Sequence, residues 1–179
     1  MTNPTTVERK SDRELVVTRT FGAPARIVFG AWTKPELFMR WWAPKSLGMT
    51  IRACEMDART GGKYRLEFGQ DAASSFAFFG KYIEVIPNQR IVWTNEESDD
   101  GAVTTVTFEE NGGQTLLTLS ELYPSKEAFE AEHGAEDGLP EQFEQLDQLL
   151  IALDANALRP LTPTRSSPAA STYSRRPPG

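Results

Sequence analysis

The feature that most constrains the fold is a change in hydrophobic period along the chain. Between residues 50 and 121, apolar and polar side chains alternate in short segments separated by turn residues. This period of two is typical of strands with one buried face. From about residue 139 to residue 157 the apolar side chains instead recur every three to four positions, as on an amphipathic helix. A sheet followed by one such helix predicts an α+β fold in which the helix covers the sheet.

The clearest strand covers residues 63–69, where Tyr64, Leu66 and Phe68 alternate with charged neighbours. The turns between the predicted strands contain Gly, Asn, Asp or Pro, the residues that tight turns favour. Short strands joined by tight turns are typical of an antiparallel meander. The other strands are predicted at residues 15–21, 50–57, 76–86, 90–96, 103–109 and 115–121.

Two short helices are predicted after the first strand, over residues 25–32 and from Thr33 to Pro44. Pro24 fits the first turn of the former and Pro35 that of the latter. A further helical piece covers residues 125–132. A strongly curved antiparallel sheet wrapped around the long C-terminal helix cannot close on it completely, so we expect a cavity near the mouth of the sheet. The terminal helix presents one stripe of Phe143, Leu146, Leu150, Leu153 and Ala157.

The chain of 179 residues divides into three predicted segments. Residues 1–13 form a flexible N-terminus and residues 14–158 form one folded domain, a size that suits a single core. Residues 159–179 contain five Pro, four Ser and four Arg. This composition buries too little apolar surface to offset the entropy of ordering, so we predict a disordered Pro/Ser/Arg tail.

The net charge is −6, but positive and negative side chains are concentrated in different parts of the chain. Residues 1–90 carry 14 Lys and Arg against 9 Asp and Glu, whereas residues 91–158 carry Lys126 against 16 acids. The acidic balance argues against nucleic-acid binding, which requires bases to neutralise phosphates. A positive and a strongly negative portion would suit electrostatic steering towards a protein partner or a second copy of the chain.

Several classes of protein are excluded by what the sequence lacks. No run of about 18 apolar residues exists, so no membrane span is expected. The first 14 residues contain no apolar segment of a secretory signal, and we therefore expect a cytoplasmic protein. One cysteine, Cys54, and one histidine, His133, exclude a disulfide framework and metal sites built from several imidazoles or thiolates. We expect no metal and no cofactor.

No catalytic residue is predicted. His133 lies in a glycine-flanked helix break where a surface or capping role is expected. Cys54 alternates with Arg52 and Met56, so it should behave as a small hydrophobe. Arg52 and Arg59 leave open a reactive thiolate, which requires positive charge nearby.

Arg19 is the unusual charged side chain, because alternation places it on the same face as Val17 and Phe21. A guanidinium is rarely buried without a partner. The favoured interpretation is a structural ion pair with Asp57 or Glu121. The alternative is an arginine that lines the cavity and binds an anionic ligand group.

Aromatic side chains are the strongest indication of a binding site, since ligand pockets are mostly apolar with a few polar groups. Parity places Tyr64, Leu66 and Phe68 inward against the terminal helix, whereas the register of residues 76–86 stays open because their phenylalanines occupy both parities. The predicted lining comprises Trp32, Trp41, Trp42, Tyr64, Leu66, Phe68, Phe78, Tyr82, Trp93, Phe143, Leu146 and Leu150.

Taken together, several short motifs over residues 14–155 form a specific pattern. They are Arg19, Ala23-Pro24, Trp32-Thr33, Pro35, Trp41-Trp42, Pro44, Asp57, Arg59, Gly61-Gly62, Gly80 and the strand at residues 90–93. This pattern resembles the activator-of-heat-shock-protein-90-ATPase-like branch of the SRPBCC/START-like superfamily. The resemblance implies the helix-grip fold and an enclosed hydrophobic pocket, with no shared catalytic residue.

The sequence departs from that family in two respects. Many members begin the long helix with Gly-Trp, where this chain has Gly138-Leu139-Pro140, which would alter the pocket end of the helix. Nothing here corresponds to the N-terminal domain of the eukaryotic co-chaperone that names the family. The leading hypothesis is non-catalytic binding of a small hydrophobic or amphipathic molecule. The alternatives are a co-chaperone-like interaction domain, with a protein partner or as a homodimer, and a small enzyme of the superfamily.

Overall fold

The segments with alternating side chains are strands of one antiparallel sheet, which has eight strands. The computed structural model describes residues 4–48, 50–69, 71–131 and 135–157. The order across the sheet is β1-β2-β8-β7-β6-β5-β4-β3. Consecutive strands are therefore neighbours, except where β2 pairs with β8. The strands are β1 (Thr6–Arg9), β2 (Glu14–Phe21), β3 (Ile51–Met56), β4 (Lys63–Phe68), β5 (Phe76–Ile86), β6 (Arg90–Thr94), β7 (Val103–Asn111) and β8 (Gln114–Leu122).

Each predicted helix is present, but the second is much shorter than the predicted span from Thr33 to Pro44. Two short helices, α1 (Ala25–Thr33) and α2 (Pro35–Phe38), connect β2 to β3, and α3 (Lys126–Ala131) follows the sheet. The long helix α4 (Ala135–Ala157) begins four residues before its predicted start. Among the described residues, no helix combines the length and apolar composition needed to cross a membrane.

The core lies between the concave face of the sheet and α4. Phe143 and Leu146 are fully buried on the inward stripe of α4, and the Phe143 ring packs edge-on against Phe21 of β2 at 5.8 Å between centroids. Burial alternates along β2, where Leu15 and Val17 point inward. The predicted α+β architecture, an antiparallel sheet covered by its C-terminal helix, is confirmed.

The sheet contains one strand more than the alternation predicts. β1 pairs antiparallel with β2, with Val7 opposite Val17, and it lies within the segment predicted to be flexible. All four of its residues are exposed, so it shows no apolar period, and main-chain pairing holds it at the sheet edge. The domain limits remain a prediction, and residues 159–179 lie outside the described part of the chain.

Candidate functional site

A cavity of about 410 Å³ lies between the inner face of β4–β6, the helices α1 and α2, and the first turns of α4. It reaches the surface beside Leu47 and Phe78, which are 63% and 42% exposed. Its wall is mostly aromatic and aliphatic, as is usual for sites that bind small molecules. The polar side chains that line it are Asn95, Glu97, Ser98, Glu121 and Gln142, together with the hydroxyl-bearing Tyr64, Tyr82 and Tyr123.

Eight of the twelve predicted pocket residues line this cavity. Alternation along β4 correctly predicts which of its side chains point inward. In β5, whose register the sequence left open, Phe78 pairs with Leu66. These eight are Trp32, Trp42, Tyr64, Leu66, Phe68, Phe78, Tyr82 and Trp93.

The other four predicted residues, Trp41, Phe143, Leu146 and Leu150, are buried in the core and do not line the cavity. For the three residues of α4, the reason is that the sheet closes on the helix beyond its first turns. Trp41 instead packs against Trp32, with 4.7 Å between ring centroids. Only the beginning of the helix, near Leu139, stands away from the sheet.

Tryptophan rings form the closed end of the cavity. Trp32, in the last turn of α1, lies 5.8 Å from both Trp42 and Trp93 between ring centroids. The indole Nε1 of Trp41 donates to the carbonyl oxygen of Ala31 at 2.9 Å, which fixes the segment after α2 against α1. The rings therefore form a packed wall at one end of the cavity.

Two glutamines of α4 position the mouth of the cavity. Gln145 Nε2 donates to the carbonyl oxygens of Trp41 and Ala43 at 2.8 and 2.9 Å, and Gln142 donates to the carbonyl of Trp42. Neither glutamine is among the pocket residues predicted from the sequence. Polar side chains that interrupt the apolar stripe of an amphipathic helix are the signal that could have identified them.

Two of the three tyrosines that line the cavity, Tyr64 and Tyr82, are held in their neutral form. The Tyr64 hydroxyl donates to the carbonyl oxygen of Thr94 at 2.6 Å. Burial, and then the nearby Glu97 carboxylate, raises the pKa of Tyr64 above its ordinary value. Burial also raises the pKa of Tyr82. Both side chains therefore act as neutral hydroxyls at physiological pH rather than as bases.

Cys54 is half-buried on β3. Burial, with a smaller effect from the Glu36 carboxylate, raises its pKa to about 11. Because the nucleophile is the thiolate, the side chain is an unreactive thiol at neutral pH. This agrees with its interpretation as a small hydrophobe.

These raised pKa values predict a loss of stability at alkaline pH. Cys54, with an ordinary pKa of 9.0, and the two tyrosines, with an ordinary pKa of 10.0, ionise in the unfolded chain before they do in the folded one. Their contribution is complete below about pH 9 and is lost as pH rises towards the folded values. Urea unfolding at about pH 8 and about pH 10.5 should show the lower midpoint at the higher pH. Tyr82→Phe should reduce that difference; an unchanged difference would contradict the assignment.

Arg19 is only 3% exposed and pairs with acids of α4. Its Nη2 lies 3.2 Å from Asp147 Oδ2 and its Nη1 lies 3.6 Å from Glu144 Oε2. Nη1 also donates to Thr5 Oγ1 at 3.1 Å. Arg19 does not line the cavity.

The structural ion pair expected for Arg19 is therefore present, but its predicted acidic partners are wrong. Asp57 is engaged with Arg59 at 2.8 Å, and Glu121 lies opposite Leu15, further along β2. The actual partners, Glu144 and Asp147, are 125 and 128 positions away in sequence. They lie on a helix, and alternation along a strand does not predict how that helix is rotated against the sheet. The pair attaches α4 to β2.

Removing one member of this pair is expected to be costly. Asp147→Ala leaves the buried guanidinium with the half-exposed Glu144 as its remaining acidic partner, so we expect a loss of about 2 kcal/mol in the free energy of unfolding. Arg19→Met combined with Asp147→Leu should restore most of it, because no uncompensated charge remains. Asp154→Ala, an exposed acid of the same helix, is the control for urea unfolding. Equal losses of unfolding free energy in Asp147→Ala and Asp154→Ala would contradict the prediction.

Metal ligation has no support in the part of the chain that the structure describes. No group of three or more His, Cys, Asp or Glu side chains there could hold an ion. The single histidine, His133, lies outside the described residues.

A curved antiparallel sheet packed around a C-terminal helix, with an apolar cavity at one end, is the architecture of helix-grip proteins. Comparison with known proteins agrees with this class. A family model described as activator of Hsp90 ATPase homolog 1-like protein matches residues 22–151. The chain belongs to this family, within the SRPBCC/START-like fold group. A comparison with the curated proteins finds no significant match.

Solved structures show the same fold. A protein from Rhodobacter sphaeroides is 22% identical with a TM-score of 0.75, covering 83% of this chain and 99% of its own. One from Staphylococcus epidermidis is 28% identical with a TM-score of 0.69, over 83% of this chain and 94% of its own. An AHSA1-like protein from Aeromonas hydrophila is 19% identical with a TM-score of 0.62, over 78% and 94%.

Proposed function

We propose that this protein binds a small hydrophobic or amphipathic molecule in the cavity between sheet and helix, without transforming it. The observation that supports this most directly is the cavity itself, whose volume of about 410 Å³ falls within the range of ligand pockets. The tryptophan wall supplies a large apolar surface at one end, and the polar groups are few.

A binding role agrees with the chemistry of the lining. Catalytic nucleophiles and bases require a pKa near the working pH, whereas Tyr64 and Tyr82 have raised values and remain protonated. Cys54, which does not line the cavity, also remains a thiol. The two tyrosine hydroxyls can therefore take part in hydrogen bonds without initiating a reaction.

A role as an interaction domain has weaker support in the structure. The acids of α4 could attract a basic partner, but several are already engaged within the chain. Glu141 accepts from the main-chain N–H of Ser46 at 2.9 Å, and Glu144 and Asp147 lie beside Arg19. Less of the acidic portion is therefore available for a partner or a second copy than its composition implies.

Native mass spectrometry of freshly purified protein tests the proposal. We expect a species heavier than the chain by the mass of one small molecule, which is lost on unfolding. Gly138→Met provides a matched variant, since Gly138 lines the cavity and a Cβ there would lie 3.7 Å from Pro44 Cγ, an ordinary contact. The added side chain should fill the mouth and remove the bound mass. Asp154→Met, on the exposed face of α4, should leave it.

If wild-type protein carries no extra mass and takes up none from added apolar compounds, the proposed function is wrong. Retention of the same mass by Gly138→Met would place the molecule outside the cavity.

A further inference from the structure

The charge that lines the cavity is negative. Among the described residues of the lining, Glu97 and Glu121 are the charged side chains, and no Lys, Arg or His occurs. The buried Arg19 is directed to Asp147 of α4 instead. An anionic group placed here would lose its hydration and find no positive partner among these residues, whereas a cationic group would find carboxylates.

Both carboxylates belong to the same part of the lining. Glu97 lies in the connection between β6 and β7, and Glu121 of β8 lies opposite Thr104 of β7. Thr104 Oγ1 lies 3.5 Å from Nδ2 of Asn95, which precedes Glu97 by two residues. The β6–β7 connection and the strands beside it therefore form an acidic part of the lining.

The Glu97 carboxylate is positioned by the main chain and has no cationic partner in the described part of the chain. Its Oε1 accepts from the N–H of Phe79 at 2.8 Å. The neighbouring Glu96 pairs with Lys81 at 3.8 Å, whereas no described Lys, Arg or His pairs with Glu97. Its charge acts on the interior, because it contributes to the raised pKa of Tyr64.

Two polar side chains of the lining direct their donors into the chain itself. The Tyr64 hydroxyl donates to the carbonyl oxygen of Thr94 at 2.6 Å. Asn95 Nδ2 donates to the carbonyl oxygen of Ala102 at 2.9 Å and to Thr104 Oγ1 at 3.5 Å. With these donors engaged and carboxylates beside them, a ligand that brings its own N–H donors fits better than one that brings acceptors.

The lining also contains a buried hydroxyl without a partner in the described chain. Tyr82 is 4% exposed, and its hydroxyl makes no hydrogen bond with the described residues. Unlike Trp32 Nε1, its oxygen is not fully enclosed. Because the Tyr82 ring points inward beside Tyr64, at 5.7 Å between centroids, the space that this oxygen contacts is the cavity. The oxygen is an additional acceptor for an N–H of a bound molecule.

We infer, on the basis of the proposed function, that the ligand is an amphipathic amine whose ammonium group pairs with the Glu97 carboxylate. Its apolar part packs against the tryptophan wall. The charge of Glu121 adds to the attraction, and the faces of the aromatic rings in the lining also attract a cation. Carboxylates, including fatty acids, are poor ligands for the same cavity.

Three naphthalene probes of similar shape test this inference with the full chain. 2-(Aminomethyl)naphthalene carries an ammonium group at neutral pH, 2-naphthalenemethanol carries a neutral hydroxyl in its place, and 2-naphthoate carries an anion. Calorimetry at pH 7 should show the amine binding about tenfold more tightly than the alcohol, since a hydrogen bond to a charged group is the stronger one. 2-Naphthoate should bind at least about 100-fold more weakly than the amine.

Two variants separate pairing with Glu97 from the general charge of the loop. In Glu97→Gln, the amide oxygen still accepts from the Phe79 N–H, but the charge is lost. The ratio of amine affinity to alcohol affinity should therefore fall about three- to tenfold. Asp99→Asn removes the same charge from an exposed side chain of the same connection that does not line the cavity, and it should keep the wild-type ratio. Because each ratio compares two probes on one variant, a general change in packing cancels.

The possible outcomes distinguish this inference from the proposed function. If the alcohol binds and the amine binds no more tightly, the cavity holds ligands but its preference for amines is wrong. An unchanged ratio in Glu97→Gln, or an equal fall in Asp99→Asn, would overturn the pairing with Glu97. Binding of 2-naphthoate as tightly as the amine would overturn the exclusion of anions. If no probe binds, the inference is wrong, and if the purified protein also retains no small molecule, so is the proposed function.

Discussion

Replacing Phe143 with alanine is expected to lower the free energy of unfolding by about 3–5 kcal/mol. The side chain is fully buried, and its ring contacts Phe21 at 5.8 Å and Trp32 at 6.3 Å between centroids. It therefore joins α4 to both β2 and α1. Its removal leaves a void that three well-packed elements cannot close, so both the transfer free energy and the cavity cost apply.

Urea unfolding of Phe143→Ala and Ile151→Ala measures this effect. Ile151 is on the same helix but is 63% exposed, so its truncation should change stability by no more than about 0.5 kcal/mol. A small loss in Phe143→Ala would contradict the assignment of this residue to the core and would favour the cavity-lining role expected from the sequence.

Gly80→Ala is expected to destabilise the protein by about 3 kcal/mol and to reduce the bound mass that native mass spectrometry detects. Gly80 of β5 lies opposite Tyr64 of β4. A Cβ at this position would lie 2.0 Å from the Thr94 carbonyl oxygen and 3.0 Å from Tyr64 Cε1. Since that carbonyl also accepts from the Tyr64 hydroxyl, relief of the clash must separate main chains and disturb the cavity wall.

Gly22→Ala is the matched control, because a Cβ there meets no atom within 4 Å. Thermal unfolding of both variants, with native mass spectrometry of each, checks the prediction. Wild-type stability in Gly80→Ala would show that the strands approach less closely than the structure indicates.

Much of the fold follows from local pattern. The inward residues of β4 follow from strict alternation, and the stripe on α4 follows from its spacing, because in each case burial of one face fixes the period. β1 could not be predicted in this way. Its residues are exposed on both faces, so its formation depends on main-chain pairing with β2 and leaves no period in the sequence.

The candidate site could be predicted only in part. Trp32 and Trp93 line the cavity as expected, whereas Phe143 and Leu150 carry the same apolar signal but lie in the core. Apolar character and parity say that a side chain points inward. They do not predict whether that side chain packs against another element or lines a cavity.

The sequence by itself determined the order of the helices and of seven of the eight strands, most of their inward faces and the family. Only the tertiary structure decided where sheet and helix separate, which partners hold Arg19, and which inward side chains line the cavity rather than the core. The reason is physical. Periodicity records burial within one element, whereas the width of a cavity depends on contacts between distant ones. The link from Gln145 to Trp41 joins residues 104 positions apart, and that from Arg19 to Asp147 joins residues 128 apart.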